Sequence, residues 1–171
     1  LLAGVVEIYE ATLEPKHLEF AVELADAMLA RFHDGENGGF WQSAAAATDL
    51  ILRVKDDNDG AEPAGNSVAT LALLKLAAIT GREGFRAAAE KSLSAAAPKF
   101  RQAPHAVPYL LQALDFWMEE PARVAIVGDP SAADAKALLI AAHSIFLPNR
   151  VVLGNHGPVD TFAAALPAQL G

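Results

Sequence analysis

Twice in this chain a segment apolar on almost every side is followed by a tight turn and then by a segment apolar on one side only. Leu1 to Ala11 carries charge only at Glu7 and Glu10, and Thr12 to Glu14 leads into Pro15, a residue type favoured at a first helical position. From there Leu18, Ala21, Val22, Ala25, Leu29 and Phe32 recur at helical spacing in a single stripe. Ser67 to Thr80 is again almost wholly apolar apart from Lys75 and stops at Gly81, a good helix terminator. Phe85, Ala88, Ala89, Leu93, Ala96 and Phe100 then form a second one-sided stripe. A helix apolar all round is enclosed by neighbours, whereas a striped one lies outside. The alternation therefore predicts helical hairpins with inner and outer members. Ala11 to Phe32 aligns over Ile79 to Phe100 with one residue of slippage, a weak internal repeat. A third enclosed helix is expected from about Pro108 through Leu110, Leu111, Leu114 and Trp117, with Pro104 and Pro108 at its approach and first turn.

After Pro121 the period changes. Arg123 to Val127 and Arg150 to Leu153 read as short strands, and Ala135 to Phe146 as the helix between them. Ser131 to Asp134 has the spacing of a capping box. A right-handed crossover makes such strands parallel. The expected fold class is mainly α, with hairpins over 1–120 and a small C-terminal βαβ unit and tail over 121–171, packed on the same domain.

Between the hairpins, Asp34 to Asn66 is rich in Gly, Asp, Asn and Pro, with a short apolar stretch at Leu50 to Val54 that suits a β-ribbon. It is expected to hold little helix and to open locally at low free energy. Long loops in compact domains are where sites tend to lie.

A net charge of -8 repels phosphate backbones and anionic lipid, so neither nucleic acid nor a membrane surface is an expected partner. Mean hydropathy is high at +0.24, yet no run reaches the 18 or more apolar residues of a membrane helix. The absence of cysteine rules out a thiolate metal site or redox pair in these residues and suits a cytoplasmic setting.

The stretch Lys55-Asp56-Asp57-Asn58-Asp59-Gly60-Ala61-Glu62-Pro63-Ala64-Gly65-Asn66-Ser67-Val68-Ala69, with Leu73 to Ala77 and Thr80-Gly81 after it, resembles a segment of the spermatogenesis-associated thioredoxin-like proteins. Tyr9 to Thr12, Gly38-Gly39-Phe40-Trp41, Val124 to Asp129 and Leu147 to Leu153 carry the same resemblance in the same order. It implies a partial α/α toroid similar to N-acylglucosamine 2-epimerase and to six-hairpin glycosidases, preceded in a longer protein by a thioredoxin-like domain. On that resemblance the chain is expected to be a fragment, about half of the toroid. The missing N-terminal half, including the thioredoxin-like domain, is then its expected partner. Its enclosed helices, Leu1 to Ala11, Ser67 to Thr80 and Pro108 to Trp117, should leave apolar faces without partners, so a homodimer is a further expected assembly.

Candidate site residues follow from the loops. Asp56, Asp57, Asp59 and Glu62 are solvated or cap a helix, or else bind a cation, hydrogen-bond sugar hydroxyls or act as acid and base, and Asp59, Glu62 and His105 are the catalytic candidates. Trp41 can stack on a sugar ring or cover the core, and Asn66 can bind substrate or cap the helix after it. A small carbohydrate is the expected ligand class. With Gly60 at the sixth position, an EF-hand loop would need acids where Lys55 and Asn66 stand, and a loop starting at Asp34 would place Gly38 and Ala45 at its fifth and twelfth positions. Neither fits calcium. The five histidines lack zinc-helix spacing, and Gly128-Asp129-Pro130 lacks the glycines of a dinucleotide turn, so no metal and no cofactor are expected. The alternative to a carbohydrate-active protein is a non-catalytic scaffold.

Overall fold

The computed structural model describes residues 1–44 and 52–155. The first hairpin is α1 (Leu2–Thr12) and α2 (Pro15–Phe32), and the second is α3 (Gly65–Thr80) and α4 (Glu83–Ala95). The first helix of each hairpin ends on a left-handed residue whose N–H returns to the last turn: Leu13, φ 55, to Tyr9 O, and Gly81, φ 68, to Ala77 O. Leu13 and Gly81 are related by the offset of the sequence repeat. The second outer helix does not run through to Phe100. It breaks at Ala96 and resumes as α5 (Ala97–Gln102), because Pro98 has no N–H to give and its ring fits only a first turn.

A single turn of 3-10 helix at Pro104–Ala106 leads into the third inner helix, α6 (Pro108–Met118). α3 is the centre of the array, flanked by α1 and α6 and backed by α4. Leu73, Leu76 and Ile79 are fully buried within it. The chain then forms β1 (Ala122–Ile126), α7 (Ala133–Ser144) and β2 (Arg150–Gly154). The strands are parallel, with Ala122 opposite Arg150 and Ile126 opposite Gly154. β2 is the inner strand and packs on α1 and α3, while β1 is largely exposed.

Three local expectations are corrected. Asn66 is not the cap of α3: the helix starts two residues earlier than such a cap would place it, with Ala64 at the N-cap, and Asn66 lies inside its first turn. Ser131 forms no capping box, because its N–H is taken by Asp129 Oδ1 at 2.8 Å in an Asx turn and α7 begins after Ala132. The face of α3 is not left open either, since α1, α4, α6 and β2 cover it. Exposed large apolar side chains among the described residues include Leu1 and Ile8 at α1, Phe20 on α2, Leu138 and Ile140 on α7, and Met118 at the end of α6, which is 70% exposed.

Among the described residues, 34–64 contain no helix, and one antiparallel bridge joins His33 to Phe40. The ribbon expected at Leu50 to Val54 falls partly outside the described residues, as does everything from His156 onward. No helix of the described residues is long and apolar enough to cross a membrane.

Candidate functional site

Residues 33–40 fold into a tight loop because Asp34 satisfies its donors. Its Oδ1 accepts the N–H groups of Glu36 at 3.1 Å and Asn37 at 3.0 Å, and its Oδ2 accepts Lys55 Nζ at 2.8 Å. The Lys55 ammonium and those N–H groups hold the Asp34 carboxyl far below the usual carboxylate range. Gly38 and Gly39, both at φ 78, then turn the chain toward α4, where Ser92 Oγ accepts the Gly39 N–H at 3.2 Å.

Asn66 locks this loop to α3. Its Oδ1 accepts the Phe40 N–H at 2.6 Å while its Nδ2 donates to Phe40 O at 2.9 Å and to Asp56 O at 2.7 Å. The amide thereby imitates a strand pairing with residue 40. Trp41, next along, is half-buried and lies under two cations, Lys55 Nζ at 4.5 Å and Arg53 Cζ at 4.8 Å from its ring centre.

Asp59 is a second junction. Its Oδ1 accepts the Ala64 N–H at 2.8 Å, and its Oδ2 accepts Tyr109 N–H at 2.8 Å and Leu110 N–H at 3.3 Å in the open first turn of α6. Burial pushes this carboxyl up, but the Ser67 hydroxyl and the three amides outweigh it and leave it below its ordinary value. The Asp59 N–H also donates to Ala106 O at 2.8 Å, which brings Asp59 beside the turn that carries His105, and Glu62 O accepts the Gly60 N–H at 3.0 Å. Asp59, Glu62 and His105 thus share one loop cluster, with Glu62 and His105 exposed. Asn66 and Trp41 belong to the neighbouring one.

Asp59→Ala should cost about 2 kcal/mol, as the loss of a helix cap with further donors left unmatched. A folded-state pKa below the unfolded value gives stability that is present above about pH 3.9 and lost as pH falls toward the folded value. The deficit of the variant, read from denaturant midpoints, should therefore be full near neutrality and shrink below about pH 4.

A cleft of about 370 Å³ opens between the Gly38–Gly39 turn, the start of α3 and the end of α4, with Asn66, Ser67, Lys55 and Lys99 among its lining. Of the candidates from sequence, Asp57 and Asn66 line it, whereas Trp41, Asp59, Glu62 and His105 do not. Its lysines are engaged: Lys55 with Asp34 and Gly38 O, Lys99 with Asp57 and with Asn58 Oδ1 at 2.8 Å. A second groove of about 470 Å³, between the α3–α4 turn and the end of α6, carries Arg82, Arg86 and Arg123, paired with Asp26, Glu90 and Glu120. Among the described residues, no three His, Asp or Glu side chains come together as a metal would need.

One polar centre was not foreseen as such. Glu10 on α1, 4% exposed, accepts Lys75 Nζ of α3 at 3.0 Å and the Val152 N–H of β2 at 3.0 Å. Glu7 takes the same ammonium at 2.6 Å, and Tyr9 OH accepts the Gly154 N–H at 3.0 Å. His143 Nε2 of α7 lies 2.9 Å from Glu10 O, with Arg150 donating to its Nδ1 at 3.0 Å. The sequence signal was present in the three charges on otherwise apolar inner helices, but their pairing depends on the α1–α3 register.

No family model matches the chain. Spermatogenesis-associated protein 20 of Rattus norvegicus is 39% identical to it over 163 residues, which is 95% of this chain and 21% of that protein. The chain is homologous to one segment of spermatogenesis-associated protein 20. The proteins of the same name from Mus musculus and Homo sapiens are 37% and 36% identical over the same length. The chain spans about a fifth of the length of these curated relatives. Relationship to spermatogenesis-associated protein 20 accounts for the quoted loop and hairpin segments together, since the matched region includes nearly all of them.

Proposed function

We propose that the chain is a helical-hairpin segment of an α/α toroid in a longer protein related to spermatogenesis-associated protein 20, and that its role there is structural. In this reading 1–120 builds part of the ring, and the βαβ unit that follows seals one end of it. The placement of α1, α3 and α6 side by side, with α2 and α4 behind, supports the ring. The observation that carries the structural role is the engagement of Asp59, whose two carboxylate oxygens already hold three backbone N–H groups. A general acid or base must exchange a proton with a substrate, and a carboxylate so held is stabilised against taking one up. Asn66 is similarly occupied by the backbone of Phe40 and Asp56.

The experiment is a panel of mono- and disaccharides tested by thermal shift on the full-length protein, in parent, Glu62→Gln and His105→Ala forms. The expected result is no sugar-dependent shift and unchanged melting in both variants, because both side chains are exposed. A saturable shift in the parent that is lost in Glu62→Gln or His105→Ala would overturn the structural role. It would favour carbohydrate chemistry at Asp59, Glu62 and His105, with Trp41 and Asn66 binding substrate.

A further inference from the structure

A crossover helix in an α/β unit normally has one apolar stripe, turned to its sheet. α7 departs from this. Between Ala133 and Ser144 only Asp134, Lys136 and His143 are charged or titratable, and the side turned to the sheet and the array is occupied by Ala135, Leu139 and Ala142. The opposite side presents Ala133, Ala137 and Ala141 to solvent, bordered by Leu138 at 58% and Ile140 at 71% exposure. The apolar surface continues past the helix through Ile145, Phe146 at 92% and Leu147. Beneath it, the two-stranded parallel sheet has its outer strand largely exposed, although parallel sheets are as a rule covered on both faces.

We propose that this face of α7 is a docking surface for a helix of the same polypeptide lying outside residues 1–171. The proposal rests on the reading of the chain as a segment of a longer protein. The length argues for this occupant, since the relatives are about five times as long as the matched segment and supply ample chain to cover it. The chemistry argues for a helix: a row of alanines allows close backbone approach, while Leu138 and Ile140 on the borders offer ridges for a groove to receive. A tethered segment also acts at a high effective concentration, so it outcompetes a second copy for the same face.

Residues 1–171 hold no cysteine, so a cysteine placed among them is read in a peptide of its own. In the native full-length protein, Ile140→Cys, Phe146→Cys and, as an exposed loop control, Glu36→Cys are pulsed with a charged maleimide and read peptide by peptide. Positions 140 and 146 should label about 100-fold more slowly than position 36, at every protein concentration. Equal labelling at the three positions would overturn the proposal. Slow labelling that becomes fast on dilution would also overturn it, by identifying a second copy as the cover. The sugar panel fails or succeeds independently: a sugar-dependent shift with α7 protected removes the structural role alone, and a silent panel with α7 labelled removes the docking surface alone.

Discussion

Lys75→Ala is expected to destabilise the fold by about 3–5 kcal/mol, the largest effect of any single side chain named here. Lys75 and Glu10 have side chains only 18% and 5% exposed, so the substitution leaves the Glu10 carboxylate buried with the Val152 N–H and no counter-charge. The Glu7 contact adds little, because its side chain is 65% exposed and surface pairs are worth about 0–1 kcal/mol. The double variant Lys75→Met with Glu10→Leu should lose less than Lys75→Ala, since both charges go at once. Its remaining cost is the unmatched Val152 N–H, about 1–3 kcal/mol. A Lys75→Ala protein within about 1 kcal/mol of the parent by denaturant midpoint, a tenth of a domain's stability, would show that water reaches Glu10.

The pH dependence gives an independent check. Burial pushes the Lys75 ammonium down, but Glu10 and Glu7 push it up by more, so its folded-state pKa is raised. A raised pKa contributes stability that is fully present below the unfolded lysine value of about 10.4 and is lost as pH rises through the folded value. The gap between parent and Lys75→Ala should hold from neutrality to about pH 10 and close above it.

These interactions mark how far the sequence could be read. Inner and outer helices were legible because the 3.6-residue period and the placement of Gly81 and Pro15 act within a few residues of chain. The parallel β1–α7–β2 unit was legible for the same reason, from short β-branched runs on either side of a helix. What was not legible is long-range. Glu10 and Lys75 are 65 positions apart, and Asp59 meets Tyr109 across 50. Asn66 is a sensible N-cap on local grounds, and only the arrival of Phe40 from 26 residues upstream makes its amide a clamp instead. At the candidate site the partners of Asn66 and Asp59 therefore come from tertiary packing that no local pattern encodes. The break at Ala96 was written plainly in Pro98, and the persistence of the apolar stripe through Phe100 obscured it.

Gly38→Ala should cost about 3–4 kcal/mol, for two reasons that add. At φ 78 an L side chain pays about 1–2 kcal/mol for the left-handed conformation. A Cβ there would also overlap the carbonyl carbon and oxygen of Lys91, which are backbone atoms inside α4. Flexible side chains give way cheaply, but a helix carbonyl does not, and overpacking of this kind costs about 1–3 kcal/mol. Gly39 has the same φ, yet its Cβ would meet Asn66 Oδ1 at 2.9 Å, the end of a side chain that can move at the expense of its bond to Phe40. Gly35 has nothing within 4 Å and no positive φ, so Gly35→Ala should fall within about 0.5 kcal/mol of the parent. The expected order of destabilisation, Gly38 above Gly39 above Gly35, is read from the denaturant midpoints of three single variants. Because Gly38 and Gly39 form one wall of the 370 Å³ cleft, the same series tests whether that wall is held by α4. If Gly38→Ala proves as mild as Gly35→Ala, the loop is not seated on α4, and neither the clamp at Asn66 nor the cleft beside it has the shape described.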